Sequence, residues 1–507
     1  MELTIVLFFP LLAGLFGFMV DEKNIKFYGI AVSFIELCLA LFVWVSFNMA
    51  NTSIMMEFMP FLPRLGINYF LGVDGISLFL VVISAFMTFI ALISLNVTDR
   101  LKHLIISILF LEMTMMGVFL SLDAIMFYIF WELSLLPMLY IIGVWGSGDR
   151  VYAAVKFFIY TFFGSMLMLV GIITLAYLNY KATGMISFNI LNWQKLSLGF
   201  GAQIWLFLAF GIAFAIKTPL FPFHTWLPYA HGQAPTIGSV LLAAVLLKMG
   251  TYGFVRFSLP IFPDASVYMS SFICVIAVIM VVYTSFIAFA QKDIKQVIAY
   301  SSISHMGVIM LGIFSLSIEG LSGAVFFMIS HALTSGGLFM MVGYLHDRTH
   351  TKEMAKFGGL AKVMPLFAFI FAILMFGGIG LPLTSGFVGE FLSLLGVFRV
   401  YPIFALLGGL SIIMGAIYSL NLYKKTFFGE VTNKENESLK DLNKTELLAI
   451  VPVALLVLYL GVFPNTILKE INDGSINTIS AMYSKVQDER SVEFLKEANE
   501  ARSPNVW

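Results

Sequence analysis

Long apolar runs separated by short polar segments fill most of the chain. The runs are continuously apolar and do not alternate with polar residues, which favours membrane-spanning helices over the strands of a β-barrel. A helix needs roughly 20 apolar residues to cross a bilayer. By that length the pattern predicts about fourteen spans, at residues 2–20, 27–48, 75–96, 103–121, 123–146, 154–178, 204–223, 237–259, 267–290, 296–316, 320–345, 363–395, 402–425 and 446–463.

The predicted fold is therefore all-α, a polytopic membrane protein with a single transmembrane domain over residues 1–463. The run at 363–395 is too long for one span and is predicted to be broken. Residues 426–445 form a long charged loop, and residues 464–507 are a polar C-terminal tail that we interpret as a peripheral segment and not as a further span. No cleavable signal peptide is expected, since no basic region precedes the first apolar run.

The positions of lysine and arginine predict the orientation of the chain. Loops after even-numbered spans hold few of them, namely Arg64, Lys181, Lys195, Arg256 and Arg399. Loops after odd-numbered spans hold many more, among them Lys23, Lys26, Arg100, Lys102, Arg150, Lys292, Lys295, Arg348, Lys352, Lys424 and Lys425. Because cytoplasmic loops are enriched in positive charge, both termini are predicted to lie on the periplasmic side of an inner membrane.

The composition agrees with this interpretation and excludes other classes of protein. Hydrophobic residues make up 60% of the chain and charged residues only 11%, against roughly 25% charged residues in soluble domains. The formal net charge is zero, so no nucleic-acid partner is expected. The two cysteines, Cys38 and Cys274, lie in apolar runs and are too few for an iron–sulfur cluster, which takes about four thiolates. We expect no cofactor or metal on this chain.

Ionisable residues occur inside the apolar runs. A charged side chain at a helix centre costs about 2.5–3.5 kcal/mol to insert, so each such residue needs a structural or functional reason. For any single residue that reason can be an ion pair or a hydrogen bond between helices. Eight of them with both signs of charge favour a translocation path: Glu36, Glu112, Glu132, Lys217, Lys248, His305, His331 and Glu390.

Two of the predicted spans contain helix-breaking residues beside a charge. Lys217 is followed by Pro219 and Pro222, which deprive the carbonyls of Ala215 and Thr218 of their helical donors. Glu390 follows a second break, which contains Gly377, Gly378, Gly380, Pro382 and Gly386. Irregular backbone at membrane depth is tolerated where it lines a cavity or is covered by protein. Two interrupted spans point to repeated halves and a translocation site.

The two histidines stand next to hydroxyl side chains. His305 lies in YSSISHMG and His331 opens HALTSGG. A lone buried histidine is more often a satisfied core residue, but two in adjacent spans with hydroxyl neighbours favour a proton relay. A contact between Glu132 and Lys217 that forms and breaks could bind and expel a proton, and whether the two helices touch is left open.

Several motifs resemble the antiporter-like subunits of respiratory complex I, a superfamily that includes multisubunit cation/proton antiporters and membrane-bound hydrogenases. The resemblance covers nearly the whole chain, and it rests on WELSLLPMLY, AIKTPLFPFHTWLPYAHGQAPTIGSVLLAAVLLKMGTYG, QKDIKQVIAYSSISHMG and GLPLTSGFVGEF. It implies two inverted five-helix repeats, spans 4–8 and 9–13, each with a broken helix. It also implies a proton relay in which Glu132 modulates Lys217, Lys248 connects centrally, and His305, His331 and Glu390 continue the path.

Within the family the chain resembles the M type. Glu390 occupies the position in the broken span where the L and N types are expected to carry lysine, and the chain lacks the long lateral helix of the L type. The resemblance implies a proton-translocating subunit of NADH:quinone oxidoreductase, in a lipid bilayer and beside L-type and N-type neighbours. Flavin, iron–sulfur clusters and quinone are then expected on partner subunits.

Three alternatives remain at this point. The chain can be a subunit of a sodium/proton exchanger driven by an ion gradient, against which Glu390 argues mildly. A hydrogenase-type pump is a variant of the redox-driven pump. A membrane scaffold without a transport role would explain the buried charges as structural contacts. The resemblance assigns no role to Glu36 or Glu112.

Overall fold

A computed structural model describes residues 1–431, 433–487 and 492, and within them the chain is mostly helical. In the first half the elements are α1 Glu2–Gly17, α2 Ile25–Ala50, β1 Ile54–Leu62, β2 Ile67–Asp74, α3 Leu78–Ile93, α4 Leu101–Leu120, α5 Ala124–Leu133, α6 Leu135–Trp145, α7 Arg150–Thr183, α8 Ile190–Trp193, α9 Phe200–Lys217, α10 Trp226–Gln233, α11 Thr236–Leu241, α12 Leu247–Gly253 and α13 Leu259–Ile261.

The second half is also helical in the part of the chain that the structure describes. Its elements are α14 Pro263–Ala290, α15 Ile294–Phe314, α16 Ile318–Thr349, α17 Leu360–Val363, α18 Pro365–Ile379, α19 Ser385–Val400, α20 Pro402–Gly408, α21 Leu410–Phe427, α22 Lys444–Val462 and α23 Asn465–Tyr483. Short 3₁₀ turns occupy Pro63–Leu65, Phe223–Thr225, Met354–Lys356 and Lys434–Ser438.

The prediction of a polytopic helical membrane protein is confirmed. Among the described residues, 11 helices are long and apolar enough to span a bilayer. The apolar helices α1, α3 and α18 are shorter than these. The count of fourteen spans therefore stays a prediction.

A β-hairpin between α2 and α3 was not expected from the sequence. Strands β1 and β2 pair in antiparallel fashion, with Ile54 opposite Asp74 and an irregularity between Pro60 and Leu62. The hairpin is attached to the helix bundle by Asp74, whose two carboxylate oxygens each accept a 2.8 Å hydrogen bond from the guanidinium of Arg256. Arg256 itself is buried and lies in the helical segment Phe254–Ser258, so its assignment to a loop was wrong.

Helices α11, α12 and α13 form one continuous, fully buried element that is interrupted by two π-helical turns. The turns cover Leu242–Leu246 and Phe254–Ser258, and Lys248 lies between them. Single π turns are rare in proteins as a whole, and those that occur are often found at functional sites. Here they locally rotate the helix on both sides of a buried lysine.

Helix α16 lies at the centre of the bundle. It packs against α11, α15, α18, α19, α22 and α23, and its most apolar 18-residue stretch is entirely buried. Helix α15 beside it is almost as deeply buried. The two helices that carry His305 and His331 are thus shielded by protein on nearly all sides, and their polar side chains must find partners within the protein.

Both predicted helix interruptions are present. Helix α9 ends at Lys217, and the N–H of Leu220 donates to the Ala215 carbonyl at 2.8 Å. Helix α18 ends at Ile379, and the N–H of Leu381 donates to the Phe376 carbonyl at 3.0 Å. In each case a donor five residues on takes the place of the ordinary helical donor. This similarity is what two repeats predict, and the inverted five-helix organisation itself stays a prediction.

The tail that was predicted to be peripheral begins with a packed helix. Helix α23 is amphipathic, and its apolar face lies on α13 and α16, with Ile467, Ile471 and Ile479 buried. The remainder of the predicted tail, residues 488–491 and 493–507, lies outside the described residues.

Candidate functional site

Lys217 lies at the last position of α9, next to the first break. The backbone there is held by two hydrogen bonds, one from Leu220 N–H to the Ala215 carbonyl and one from the Trp226 indole to the Ile216 carbonyl at 2.8 Å. The Ala215 carbonyl, which Pro219 was predicted to leave without its helical partner, thus has another donor. The break is therefore stabilised by its own hydrogen bonds, and it places a lysine at a helix end inside the protein.

Lys217 is 1% exposed, and its ammonium group lies in an aromatic and hydroxyl environment. It donates to the Ser134 hydroxyl at 3.4 Å. The ring centroids of Trp131 and Phe157 are 5.4 Å and 5.6 Å from its nitrogen, within the range of cation–π attraction. These contacts stabilise a charge only weakly, so the site suits a group that gains and loses a proton.

Glu132 does not form an ion pair with Lys217 within 4.0 Å in the described structure. Its carboxyl is half-buried and lies next to Ser165, and its Oε1 has no hydrogen-bond partner among the described residues. Lys217 instead contacts Ser134, which stands at the junction of α5 and α6, two positions after Glu132. The two charged groups therefore share a region without direct contact, and their mutual influence is through space.

Lys248 and His331 form the closest contact of the row. The Lys248 nitrogen lies 2.7 Å from His331 Nδ1 and also donates to the Ala243 carbonyl at 2.5 Å. Both side chains are completely buried. The ring of His305 stands edge-on to that of His331, with centroids 5.6 Å apart. The structure thus brings together three residues that the sequence places on three separate spans.

Hydroxyl side chains line the helices next to the histidines. Ser302 and Ser335 lie 2.7 Å apart, one beside His305 on α15 and the other beside His331 on α16. Ser285 and Ser304 lie 3.0 Å apart. Hydroxyl groups both donate and accept hydrogen bonds, so they are suited to hand on a proton.

Glu390 lies on α19, directly after the second break. The residue is 3% exposed, and its carboxyl accepts a hydrogen bond from the Ser411 hydroxyl. A Cβ at Gly380 would lie 2.6 Å from Glu390 Oε2, so the carboxyl rests against the broken backbone. The same break reaches toward the histidines, since a Cβ at Gly378 would lie 3.9 Å from His305 Cε1. The second break therefore lies between His305 and Glu390.

Sequence reasoning missed two buried basic residues near the row. His231 on α10 is fully buried, stacks on Phe339 with centroids 4.4 Å apart, and has no hydrogen-bond partner on either ring nitrogen among the described residues. Lys295 lies in the first turn of α15, is 5% exposed and donates to the Ala234 carbonyl at 2.7 Å, which corrects its assignment to a loop. The only sequence signal for His231 was its place in the long HTWLPYAHGQAPT motif.

A cavity of about 210 Å³ opens beside Lys295. It is lined by residues of α3, α11 and α16 and by loop residues that include Asn96, Ser147 and Lys352. Asn96 is the last residue of the third predicted span, and Ser147 and Lys352 follow the fifth and the eleventh. The cavity therefore opens on the side that the charge distribution predicts to be cytoplasmic.

The arrangement as a whole is a set of ionisable side chains inside the helix bundle, most of them buried. The Lys248–His331 contact is direct and His305 stands edge-on to His331, whereas Lys217 contacts Ser134 and Glu390 contacts Ser411. Both cysteines are free, Cys38 exposed and Cys274 buried, and no group of three or more potential metal ligands occurs in the described part of the chain. The chemistry that these side chains offer is proton binding and transfer.

Comparison with known proteins identifies the family. The model of the family described as "NADH:quinone oxidoreductase/Mrp antiporter, TM" matches residues 121–417, more than half of the chain. The chain belongs to this family. The matched segment contains all six residues of the predicted relay, from Glu132 to Glu390.

Relatives within the family bear the name of one subunit type. The chain is 44% identical over 477 residues to NADH-quinone oxidoreductase subunit M of Rickettsia prowazekii, with 92% of this chain and 96% of the relative covered. It is 40% identical to NADH-ubiquinone oxidoreductase chain 4 of Chondrus crispus, with 90% and 93% covered. The resemblance stated from the motifs, including the M type, is thereby confirmed.

Two solved structures share the fold. A chain of respiratory complex I from Thermus thermophilus with bound NADH superposes with a TM-score of 0.87 at 30% identity, covering 95% of this chain and 100% of that chain. A chain of the Mrp complex from Dietzia superposes with a TM-score of 0.82 at 19% identity, covering 95% and 99%. The second likeness shows the fold alone.

Proposed function

We propose that this chain is the M-type proton-translocating subunit in the membrane arm of NADH:quinone oxidoreductase. Protons pass along the buried row that consists of Glu132, Lys217, Lys248, His305, His331 and Glu390. The observation that carries the proposal is the direct contact between Lys248 and His331 at the centre of a bundle whose family is the NADH:quinone oxidoreductase/Mrp antiporter family. The names of the relatives at 40–44% identity favour the oxidoreductase over the exchanger.

In this proposal Glu132 sets the field at Lys217, Lys248 and the two histidines carry the proton through the centre, and Glu390 faces an exit or a neighbouring subunit. The cavity beside Lys295 is the proposed entrance, since Lys295 donates to Ala234 at the end of the helix that carries His231. Energy comes from quinone reduction elsewhere in the complex, which changes the protonation of the row.

The redox groups are assigned to partner subunits in this proposal. Two free cysteines supply too few thiolates for an iron–sulfur cluster, so flavin, clusters and quinone would lie on other chains. L-type and N-type antiporter-like subunits are the proposed neighbours. The proposed location is the inner membrane with both termini on the periplasmic side, which the charge distribution between the loops supports.

The test is Lys217→Ala in membranes that contain the assembled complex. We expect NADH-driven proton translocation to fall at least about tenfold, since a positioned proton-transfer group contributes about 10²–10⁴ in rate. Lys181→Ala is the matched control, because Lys181 is exposed at the end of α7 and lies over the ring of Tyr177. Wild-type translocation by a fully assembled Lys217→Ala complex would contradict the proposed role.

A further inference from the structure

Helices α2 and α4 run in parallel and approach each other closely. A Cβ at Gly29 would lie 2.7 Å from Cγ2 of Ile105, so these two positions face each other. About two helical turns further along each helix stand Glu36 and Glu112. Because the helices are parallel, equal steps along both keep residues face to face, and the carboxyl of Glu36 is accordingly the charged neighbour of Glu112.

The two carboxyl groups are isolated from water and from hydrogen-bond donors. Both side chains are 0% exposed. None of their four oxygens has a hydrogen-bond partner among the described residues. The hydroxyl of Thr88 on α3 lies beside Glu112, but it donates its proton to the Ser84 carbonyl at 2.9 Å.

No cation on the adjoining helices pairs with the two carboxyls. Lys248 on α12, which packs against α4, contacts the Ala243 carbonyl and His331. The titratable residues of α5 and α6, which also pack against α4, are Tyr128, Glu132 and Tyr140, none of them a cation.

The ammonium of Lys26, near the start of α2, donates to the Leu95 carbonyl at 2.5 Å. Lys102 and His103 stand at the start of α4, more than two turns before Glu112. Helix α3 has no charged residue, and the other titratable residues of α1 and α2 are Glu2 and Tyr28 near their starts and Cys38, which is exposed.

Two ionised carboxylates in this position would be both desolvated and mutually repelled. An isolated buried carboxylate is strongly unfavourable, and two that share a site do not both ionise. A proton held between them removes one charge and supplies the missing donor. A divalent cation would need about six oxygen ligands, more than two carboxyls and a hydroxyl can offer.

We propose that Glu36 and Glu112 form a proton-binding carboxyl pair, in which a protonated carboxyl of one residue donates to the carboxyl of the other. The pair is a site separate from the row between Glu132 and Glu390. Helix α4 also packs against α5, which carries Glu132, so the pair lies one helix away from the start of that row. It does not depend on the function proposed for the row, since it follows from burial and charge alone.

Infrared spectroscopy of the purified assembled complex tests the pair. The sample is compared with Glu36→Gln/Glu112→Gln, with Glu112→Asp and with the control Glu22→Gln, whose side chain is exposed. At pH 7 the spectrum of the wild type minus that of the double variant is expected to show the carbonyl-stretching band of a protonated carboxyl. This band is expected to shift in D₂O. Glu112→Asp is expected to keep the band at a shifted position, and Glu22→Gln is expected to remove nothing from this region.

Two results would overturn the proposal. One is a difference spectrum at pH 7 that contains carboxylate bands and no protonated carboxyl, because both groups would then be ionised. The other is a protonated-carboxyl band that appears only after sodium and potassium are replaced by a bulky organic cation, because the site would then hold a metal ion. Neither result bears on proton translocation by Lys217→Ala, so the two proposals succeed or fail separately.

Discussion

The Lys248 nitrogen lies 2.7 Å from Nδ1 of His331, with both side chains completely buried. A hydrogen bond between these atoms uses one proton, carried either by the lysine or by the histidine, because an ammonium can donate only to an unprotonated ring nitrogen. The centre of the row is therefore a hydrogen-bonded pair of two groups that can each bind a proton. Such a pair can pass on a proton without a large movement of either helix.

If the two residues act as a unit, their substitutions will not be additive. We expect Lys248→Ala and His331→Ala each to lower NADH-driven proton translocation at least about tenfold. The double variant is expected to translocate protons no more slowly than the less active of the two single variants. The measurement is the translocation rate in vesicles, normalised to the amount of assembled complex. His103→Ala, at an exposed position at the start of α4, should behave as wild type. Multiplicative losses in the double variant would show independent roles.

Glu132 and Lys217 influence each other without contact, so charge at position 132 should matter more than shape. Glu132→Gln keeps the shape and removes the charge, and we expect it to reduce proton translocation severalfold. Glu132→Asp keeps the charge and should retain most of the activity. Glu22→Gln is the exposed control. Equal and full translocation in both Glu132 variants, measured by the quenching of a pH-sensitive dye in vesicles, would rule out an electrostatic role for Glu132.

Gly380 combines a positive φ of 79° with close contact to the Glu390 carboxyl. Gly380→Ala places a Cβ 2.6 Å from Glu390 Oε2 and should displace the carboxyl from the second break. Gly184→Ala is a matched control, because Gly184 has a φ of 74° and no atom within 4 Å of the added Cβ. Both changes carry a backbone cost of about 1–2 kcal/mol, but only Gly380→Ala should lower proton translocation. An equal loss in both would assign the effect to backbone strain.

Residue type and periodicity were sufficient to predict a polytopic helical protein, the two helix breaks and the burial of most residues of the row. The breaks were predicted from Pro219 and from the glycines near Gly380. Proline cannot continue a helix, and glycine makes the helix backbone flexible. The row followed because charged side chains are expensive in lipid. The role of each member in proton transfer is a property of the assembled complex and stays a prediction.

Other features depend on tertiary contacts that no local pattern encodes. Strand β1 contains Pro60 and reads as a short apolar run without a characteristic turn, so the hairpin was missed. The partner of Lys217 turned out to be Ser134 because that side chain stands at the junction of α5 and α6. Lys295 looked like a loop residue since it lies close to the end of an apolar run, and only the packing of α15 against α10 shows that it is buried.

The ion pair between Asp74 and Arg256 should make the attachment of the hairpin sensitive to acid. Burial raises the pKa of the Asp74 carboxyl, but the charge and the two hydrogen bonds of Arg256 outweigh it, and the pKa lies below its usual range. A carboxyl with a lowered pKa in the folded state stabilises the fold above its unfolded pKa of about 3.9. That stabilisation is lost as the pH falls through the lower folded value.

We therefore expect the thermal stability of the hairpin to fall more steeply below about pH 4 in the wild type than in Asp74→Asn. The measurement is the temperature at which a protease begins to cleave β1 and β2 in the purified complex. At pH 7 Arg256→Ala should destabilise the hairpin by about 3–5 kcal/mol, because it leaves a buried carboxylate without its partner. The double variant Asp74→Asn/Arg256→Ala should recover part of that loss, since no unpaired charge remains. A double variant as unstable as the sum of the single variants would show that the two residues stabilise the fold through separate contacts.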